Sequence, residues 1–396
     1  MESTSIKKPT SLTKDERDRR WRKVRGLMEK RGLDCLIGWG SLGCHSNLCA
    51  NLRYLSNTAH EGYLVFPLNG EPSLFTFMGR KVQTSWVVDQ RCGHPDYAEA
   101  ISERLKEINL TKAHIGMVGP SKYYREMGFP YPTYLSIIEN FSEYRFEDAT
   151  DIVDQARMIK SPAEISCLER GCETGEKVIQ IVRDTVMPGM TDNEARSLIM
   201  DTLVRNGCES FGILLFCSGK ELTHAGQGGG IERENPRTMQ TGDIILTEFD
   251  AKYIGYQAQF NQAFALGKPA SEWLDIVNIA RESFYSGLKT LKPGITVGEL
   301  DKALLSPILE AGYTYSNPAF HGLGLTLEEP MGTFPMQPGY KSNTSFRFEP
   351  GMVIEFEPQV ITSDHKKGLS IGCPVLVTET RCRLLSQNWK LELLEI

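Results

Sequence analysis

A five-residue pattern occurs twice in this chain and constrains its fold more than any other feature. Met187-Pro188-Gly189-Met190-Thr191 recurs as Lys292-Pro293-Gly294-Ile295-Thr296. Each copy follows an amphipathic helical stretch and precedes another. Each second stretch closes on a glycine, Gly207 or Gly312, nineteen residues after its proline. The same order at the same spacing marks a duplicated structural unit. Functional groups are then expected where the copies meet, on the strands between the helices. The sequence places these strands at Asp243–Asp250, Tyr256–Leu266, Met352–Pro358 and Pro374–Thr378.

The first half reads differently. Asp15–Arg31 has the pattern of a basic helix closed by Gly32. Short apolar runs at Asp34–Trp39, Tyr63–Pro67, Pro72–Met78 and His114–Val118 read as strands, with a helix over Ala98–Ile108. Strands alternating with helices argue for an α/β domain. It ends near Asp154, before the joint Arg157–Ile165, where Ser161, Pro162 and Glu164 form a helix-start signal. The chain of 396 residues thus divides at about 155 into two domains, 1–155 and 156–396.

Composition narrows the function classes. A net charge of −6 is the wrong sign for a dedicated nucleic-acid binder. No apolar run approaches the ~18–20 residues of a membrane span, and the first residues lack an apolar signal-peptide centre, so a cytoplasmic protein is expected. The ten cysteines form no CxxC pair, which leaves reduced thiols packed as small hydrophobes as the expectation.

Several motifs together resemble the creatinase/prolidase/aminopeptidase P family over nearly the whole chain. They are the joint at Arg157–Ile165, the Pro-Gly-x-Thr repeat, and Gly242-Asp243-Ile244-Ile245-Leu246 with Gly255-Tyr256. His321-Gly322-Leu323-Gly324 and Pro350-Gly351-Met352-Val353 before Glu357-Pro358 complete the set. The resemblance implies an α/β N-terminal domain followed by an α+β "pita-bread" domain with a pseudo-twofold internal repeat. It also implies a homodimer in which one subunit's N-terminal domain borders the other's active site.

Peptidases of that family hold two metal ions with Asp, Asp, His, Glu and Glu. The resemblance carries these positions onto Glu248, Gln259, His321, Glu357 and Gly372, and a further peptidase histidine onto Glu328. With Gln259 and Gly372 offering no bridging carboxylate, two divalent cations a few ångströms apart would repel one another. The expectation is therefore a metal-independent hydrolase of a C–N bond in a small polar metabolite, similar to creatinase and ectoine hydrolase, with no cofactor. His321, Glu357 and Glu248 would shuttle protons, with His224 beside them. Asp250, Gln259 and Glu328 would line the substrate site. Lys341 or Arg347 would anchor a substrate anion, and Arg53, Tyr54 and His60 would come from the polar first-domain loop Cys44–His60. Two alternatives stay open. One is a single-metal lyase or hydrolase using Glu248, Asp250, His321 and Glu357, resembling the dimethylsulfoniopropionate lyases. The other is a catalytically silent binding module.

Overall fold

The computed structural model describes residues 12–41, 49–77, 79–110, 112–119, 129–209, 212–223, 237–326, 329 and 343–396. The first half is a six-stranded mixed sheet. Its strands are β1 (Cys35–Gly40), β2 (Gly62–Pro67), β3 (Ser73–Thr76), β4 (Asp89–Cys92), β5 (His114–Val118) and β6 (Arg145–Asp148), in the order β4-β3-β2-β1-β5-β6. Helices α1 (Lys14–Arg31), α2 (Ala50–Ser56), α3 (Tyr97–Glu107), α4 (Tyr131–Asn140) and α5 (Thr150–Met158) accompany it. Part of the stretch read from sequence as a polar loop, Cys44–His60, is the helix α2. Its residues Ala50, Leu52, Tyr54 and Leu55 are buried, so the helix packs inward.

The second half follows the repeat. The first copy contains α6 (Pro162–Thr185), α7 (Asp192–Arg205), β7 (Leu214–Gly219), β8 (Ile244–Tyr253) and β9 (Tyr256–Ala265). The second contains α8 (Ser271–Thr290), α9 (Val297–Glu310), β10 (Phe320–Gly322) and β11 (Val353–Phe356). The short pair β12 (Gln359–Ile361) and β13 (Gly368–Ser370) follows, then β14 (Cys373–Val377), β15 (Cys382–Leu384) and β16 (Leu394–Glu395). The repeat is physical as well as textual. Thr191 and Thr296 both cap their helices through reciprocal capping boxes with Glu194 and Glu299. Gly189 N–H donates to the Met239 carbonyl as Gly294 N–H donates to that of Phe348. This is the pita-bread architecture behind an α/β N-terminal domain.

Two four-stranded sheets, β16-β9-β8-β7 and β10-β11-β14-β15, meet where Asn261 and Gly372 exchange backbone hydrogen bonds. Alternation along a strand then sorts the β8–β9 hairpin into two faces. Ala251, Ala258 and Phe260 face α6, which approaches closely because Gly171 and Gly175 have no side chain. A Cβ at those positions would meet the Ala251 carbonyl at 2.5 Å and the Phe260 ring at 2.2 Å. The opposite face carries Glu248 paired with Asn261 and Asp250 paired with Gln259.

That register is fixed by a two-residue turn, Ile254-Gly255, between paired Tyr253 and Tyr256. Both turn residues have positive φ, 49° for Ile254 and 85° for Gly255, as a tight hairpin of this kind requires. Arg53 packs on Gly255 so closely that a Cβ would lie 2.5 Å from its guanidinium carbon. Among the described residues no helix is long and apolar enough to cross a membrane, and the nine cysteines there are free thiols.

Gly255→Ala should therefore cost about 1–3 kcal/mol, from left-handed strain and from displacing Arg53. Urea denaturation measures it; a loss below about 0.5 kcal/mol would show that this turn does not hold the hairpin.

Candidate functional site

Four acids gather where the two sheets meet. Glu248 and Asp250 come from β8, Glu355 from β11, and Glu357 follows that strand by one residue. Glu357 stands two residues beyond Glu355, and His321 on β10 pairs in register with Glu355. Gln259 Nε2 donates to Glu248 Oε1 at 2.6 Å, and Asn261 Nδ2 donates to Glu357 Oε2 at 3.1 Å. His321 Nε2 lies 3.6 Å from Glu357 Oε1, while its Nδ1 lies 3.0 Å from the Gly322 carbonyl. A carbonyl oxygen only accepts, so Nδ1 carries a proton and Nε2 is the ring nitrogen that faces Glu357. A cavity of about 10 Å³ is lined by Glu248, Asn261, Asn317, Glu357, Gln359 and Ser370. That is room for roughly one water.

Electrostatics in this cluster are uncompensated. Burial pushes Glu357 up to about 8, with Asn261 opposing and Asp250 reinforcing the shift. Burial also raises Asp250 to about 6 although the Ile213 amide, Lys252 and His321 favour its charged form. Glu248 is pushed well up by burial and then by Glu357 and Asp250. Glu355 is pushed well up by burial and then by Glu357, Asp250 and Glu248. Among the described residues, five buried oxygens here find no hydrogen-bond partner: Asp250 Oδ1, Gln259 Oε1, Asn261 Oδ1 and both Glu355 carboxylate oxygens. Carboxylates raised toward neutrality can exchange protons with substrate or water.

The structure gathers His321, Glu357, Glu248, Asp250 and Gln259, all named from sequence. Glu355 and Asn261 were missed. A lone acid in the apolar run Val353-Ile354-Glu355-Phe356, two residues before Glu357 and so on its face, was the available signal. His224, Glu328 and Lys341 lie outside the described residues. The first-domain residues are engaged elsewhere. Arg53 forms a two-pronged ion pair with Glu209, at 2.6 and 3.0 Å. Tyr54 is fully buried, its hydroxyl donating to the Ala156 carbonyl and its ring under Arg20. His60 is half-buried, its amide donating to the Thr58 hydroxyl. Arg347 is exposed and donates to the Gly294 carbonyl at the repeat turn, where it answers to packing rather than to a substrate anion.

His321 owes its position to a second, compensated cluster. Glu329 folds back over Gly322 and Gly324; a Cβ on Gly322 would meet the Glu329 carbonyl oxygen at 1.4 Å. The Glu329 carboxylate then pairs with Arg157 at 2.9 Å and Lys160 at 3.0 Å, all three side chains buried. Burial alone would raise Glu329, but Arg157 and Lys160 outweigh it and hold the carboxyl below its ordinary value of 4.5.

A family model described as metallopeptidase family M24 matches residues 166–379, and one described as the creatinase/prolidase N-terminal domain matches 20–159. The chain is 25% identical over 261 residues to the Xaa-Pro dipeptidase of Pyrococcus furiosus, covering 64% of this chain and 71% of that protein. The solved X-Pro aminopeptidase of Thermotoga maritima shares the fold at a TM-score of 0.80 and 21% identity, over 95% of this chain and 99% of that one. The Xaa-Pro dipeptidase of Bacillus anthracis does so at 0.78 and 20%, over 96% and 100%.

These matches overturn the expectation of a metal-independent, creatinase-like hydrolase of a non-peptide C–N bond. The matching family is one of metallopeptidases, and the relatives bear dipeptidase and aminopeptidase names. The misreading has a physical source. Gln259 and Gly372 subtract charge at two inherited positions, whereas Asp250, named from sequence, and Glu355, which was not, bring carboxyl groups into the same cluster.

Glu329→Gln should destabilise the protein by about 3–5 kcal/mol, because Lys160 is left buried without its carboxylate and Arg157 keeps only Asp154. A lowered glutamate contributes stability above its unfolded value and loses it as pH falls through the folded one. The difference between wild-type and variant melting temperatures should thus be constant above about pH 5 and shrink as pH falls toward 3. A difference independent of pH would remove this ion cluster from the account.

Proposed function

Because the chain belongs to metallopeptidase family M24 behind a creatinase/prolidase N-terminal domain, we propose that it is a metal-dependent hydrolase cleaving the amide bond of a short peptide. One observation carries the reading. Buried oxygens of Asp250, Gln259 and Asn261 have no partner, and they stand among acids that raise one another's pKa. Buried polar atoms are rarely left unpaired, and clustered buried acids call for a positive charge. Among the described residues, no three His, Cys, Asp or Glu side chains already converge as a metal centre. The donor chemistry nevertheless fits a hard divalent cation, since it offers many oxygens and one imidazole.

Glu248, Asp250, His321 and Glu357 would hold the ion. Once bound, a divalent cation lowers the pKa of a coordinated water and polarises a carbonyl oxygen. The chain's own residues supply the rest. Asn261 holds one oxygen of Glu357 and leaves the other facing His321. Burial holds the Glu357 carboxyl toward the neutral acid in the metal-free protein, so a cation bound there would displace its proton. Gln359, its Oε1 accepting from the Ser316 amide and hydroxyl and from the Asn317 amide, holds the cavity wall opposite β9. Xaa-Pro dipeptides are the first substrates to test, because the Pyrococcus furiosus and Bacillus anthracis relatives are named for them.

Purified protein supplied with Mn²⁺ should hydrolyse Xaa-Pro dipeptides, lose activity to a chelator and recover it when metal is restored. Glu357→Gln should lower kcat by about 10²-fold or more. No cleavage across a dipeptide panel with Mn²⁺ present would sink the reading.

A further inference from the structure

Glu355 has no role in the sequence pattern that the family resemblance supplies, yet its setting is the least compensated in the site. It is 0% exposed, and among the described residues neither carboxylate oxygen has a hydrogen-bond partner. The charges acting on it are those of Glu357, Asp250 and Glu248, and its own acts on the thiols of Cys172 and Cys373. No base answers it in that set. An acid so placed is costly to bury, and folding alone gains nothing from it.

The neighbouring strand makes room for it. Gly372 exchanges both backbone hydrogen bonds with Asn261, at 3.1 and 2.9 Å. A Cβ on Gly372 would stand 2.0 Å from the Phe356 carbonyl oxygen and 3.0 Å from Glu355 Oε1. No side chain fits at 372 without moving backbone. The space beside the strand pair is filled by the Glu355 carboxylate instead. Position 372 is also where the resemblance implies a glutamate ligand, so one carboxylate is absent and another stands next to its place.

We propose that Glu355 is a metal ligand, supplying from β11 the carboxylate that Gly372 cannot supply from the start of β14. This rests on the metal-dependent reading above. Asp250, whose charge acts on Glu355, and Asn261, whose backbone pairs with Gly372, are each at most 2% exposed and each keep an oxygen with no partner among the described residues. The Phe356 carbonyl is what requires glycine at 372, and the Glu355 carboxylate stands 3.0 Å from where a side chain there would begin.

The test compares wild type, Glu355→Gln, Glu355→Met and Glu357→Gln as full-length protein stripped with a chelator. Titration calorimetry with MnCl₂ and thermal melts with and without Mn²⁺ are the readouts. Both Glu355 variants should keep or raise the metal-free melting temperature, because an uncompensated buried acid has been removed. Their Mn²⁺ dissociation constants should rise at least about tenfold, and the Mn²⁺-induced rise in melting temperature should shrink accordingly. Unchanged Mn²⁺ affinity in both Glu355 variants, with binding lost in Glu357→Gln, would overturn the assignment of Glu355 and leave the metal reading intact. A lower metal-free melting temperature in both with unchanged affinity would make Glu355 a packing residue and overturn it equally. If wild type takes up no Mn²⁺, the metal reading itself fails and takes this inference with it.

Discussion

The turn Ile254-Gly255 sets the register on which the site depends. Strand side chains alternate with a period of two, so a slip of one residue would exchange the faces of β8 and β9. Glu248, Asp250, Gln259 and Asn261 would then point at α6, and Ala251, Ala258 and Phe260 at the acids. A β-branched residue at positive φ is strained, and Ile254 accepts that strain because Tyr253 and Tyr256 must pair across a two-residue loop. The residue just past the turn, Tyr256, donates to Glu164 and accepts from Arg20, both at 2.7 Å. The same turn that aligns the site therefore also fastens it to the first domain.

Two buried ionic clusters on either side of His321 contrast in their solution to one problem. Glu329 has Arg157 and Lys160 within 3.0 Å and is held ionised. Among the described residues, Glu248, Asp250, Glu355 and Glu357 form no ion pair with an arginine or lysine, and burial holds them toward the neutral acid. A charge-paired cluster fixes geometry, and here Glu329 packs on Gly322 and Gly324, next to the strand that carries the histidine. An unsatisfied one is a cost that folding alone does not recover, which makes it the natural place for a bound cation and for proton transfer.

Glycines connect these features through contact more than through conformational freedom. Gly171 and Gly175 admit the β8–β9 hairpin to α6, Gly322 and Gly324 admit Glu329, and Gly372 admits Glu355. In each case the missing side chain is the space another group occupies. Sequence motifs such as His321-Gly322-Leu323-Gly324 thereby acquire a steric meaning that spelling alone does not convey.

Much of the architecture was legible in the chain itself. The duplicated Pro-Gly-x-Thr units, their capping residues Thr191 and Thr296 and the period-two strands are local patterns, and local patterns follow from backbone sterics and nearby hydrogen bonds. Glu248, Asp250, His321 and Glu357 were named because motifs surround them. The helix α2 was not, since only burial against the first domain's core distinguishes its short apolar stretch from a loop. Nor could sequence tell that Arg53 and Tyr54 serve the joint, or that Glu355 faces Glu357 across the space left by Gly372. Those facts depend on which strands become neighbours, and electrostatic energy depends on distances that chain order does not contain. The sequence alone determined most of the elements and the family resemblance; the tertiary structure decided that Glu355 joins Glu248, Asp250 and Glu357 in one buried cluster, because strand pairing sets those distances.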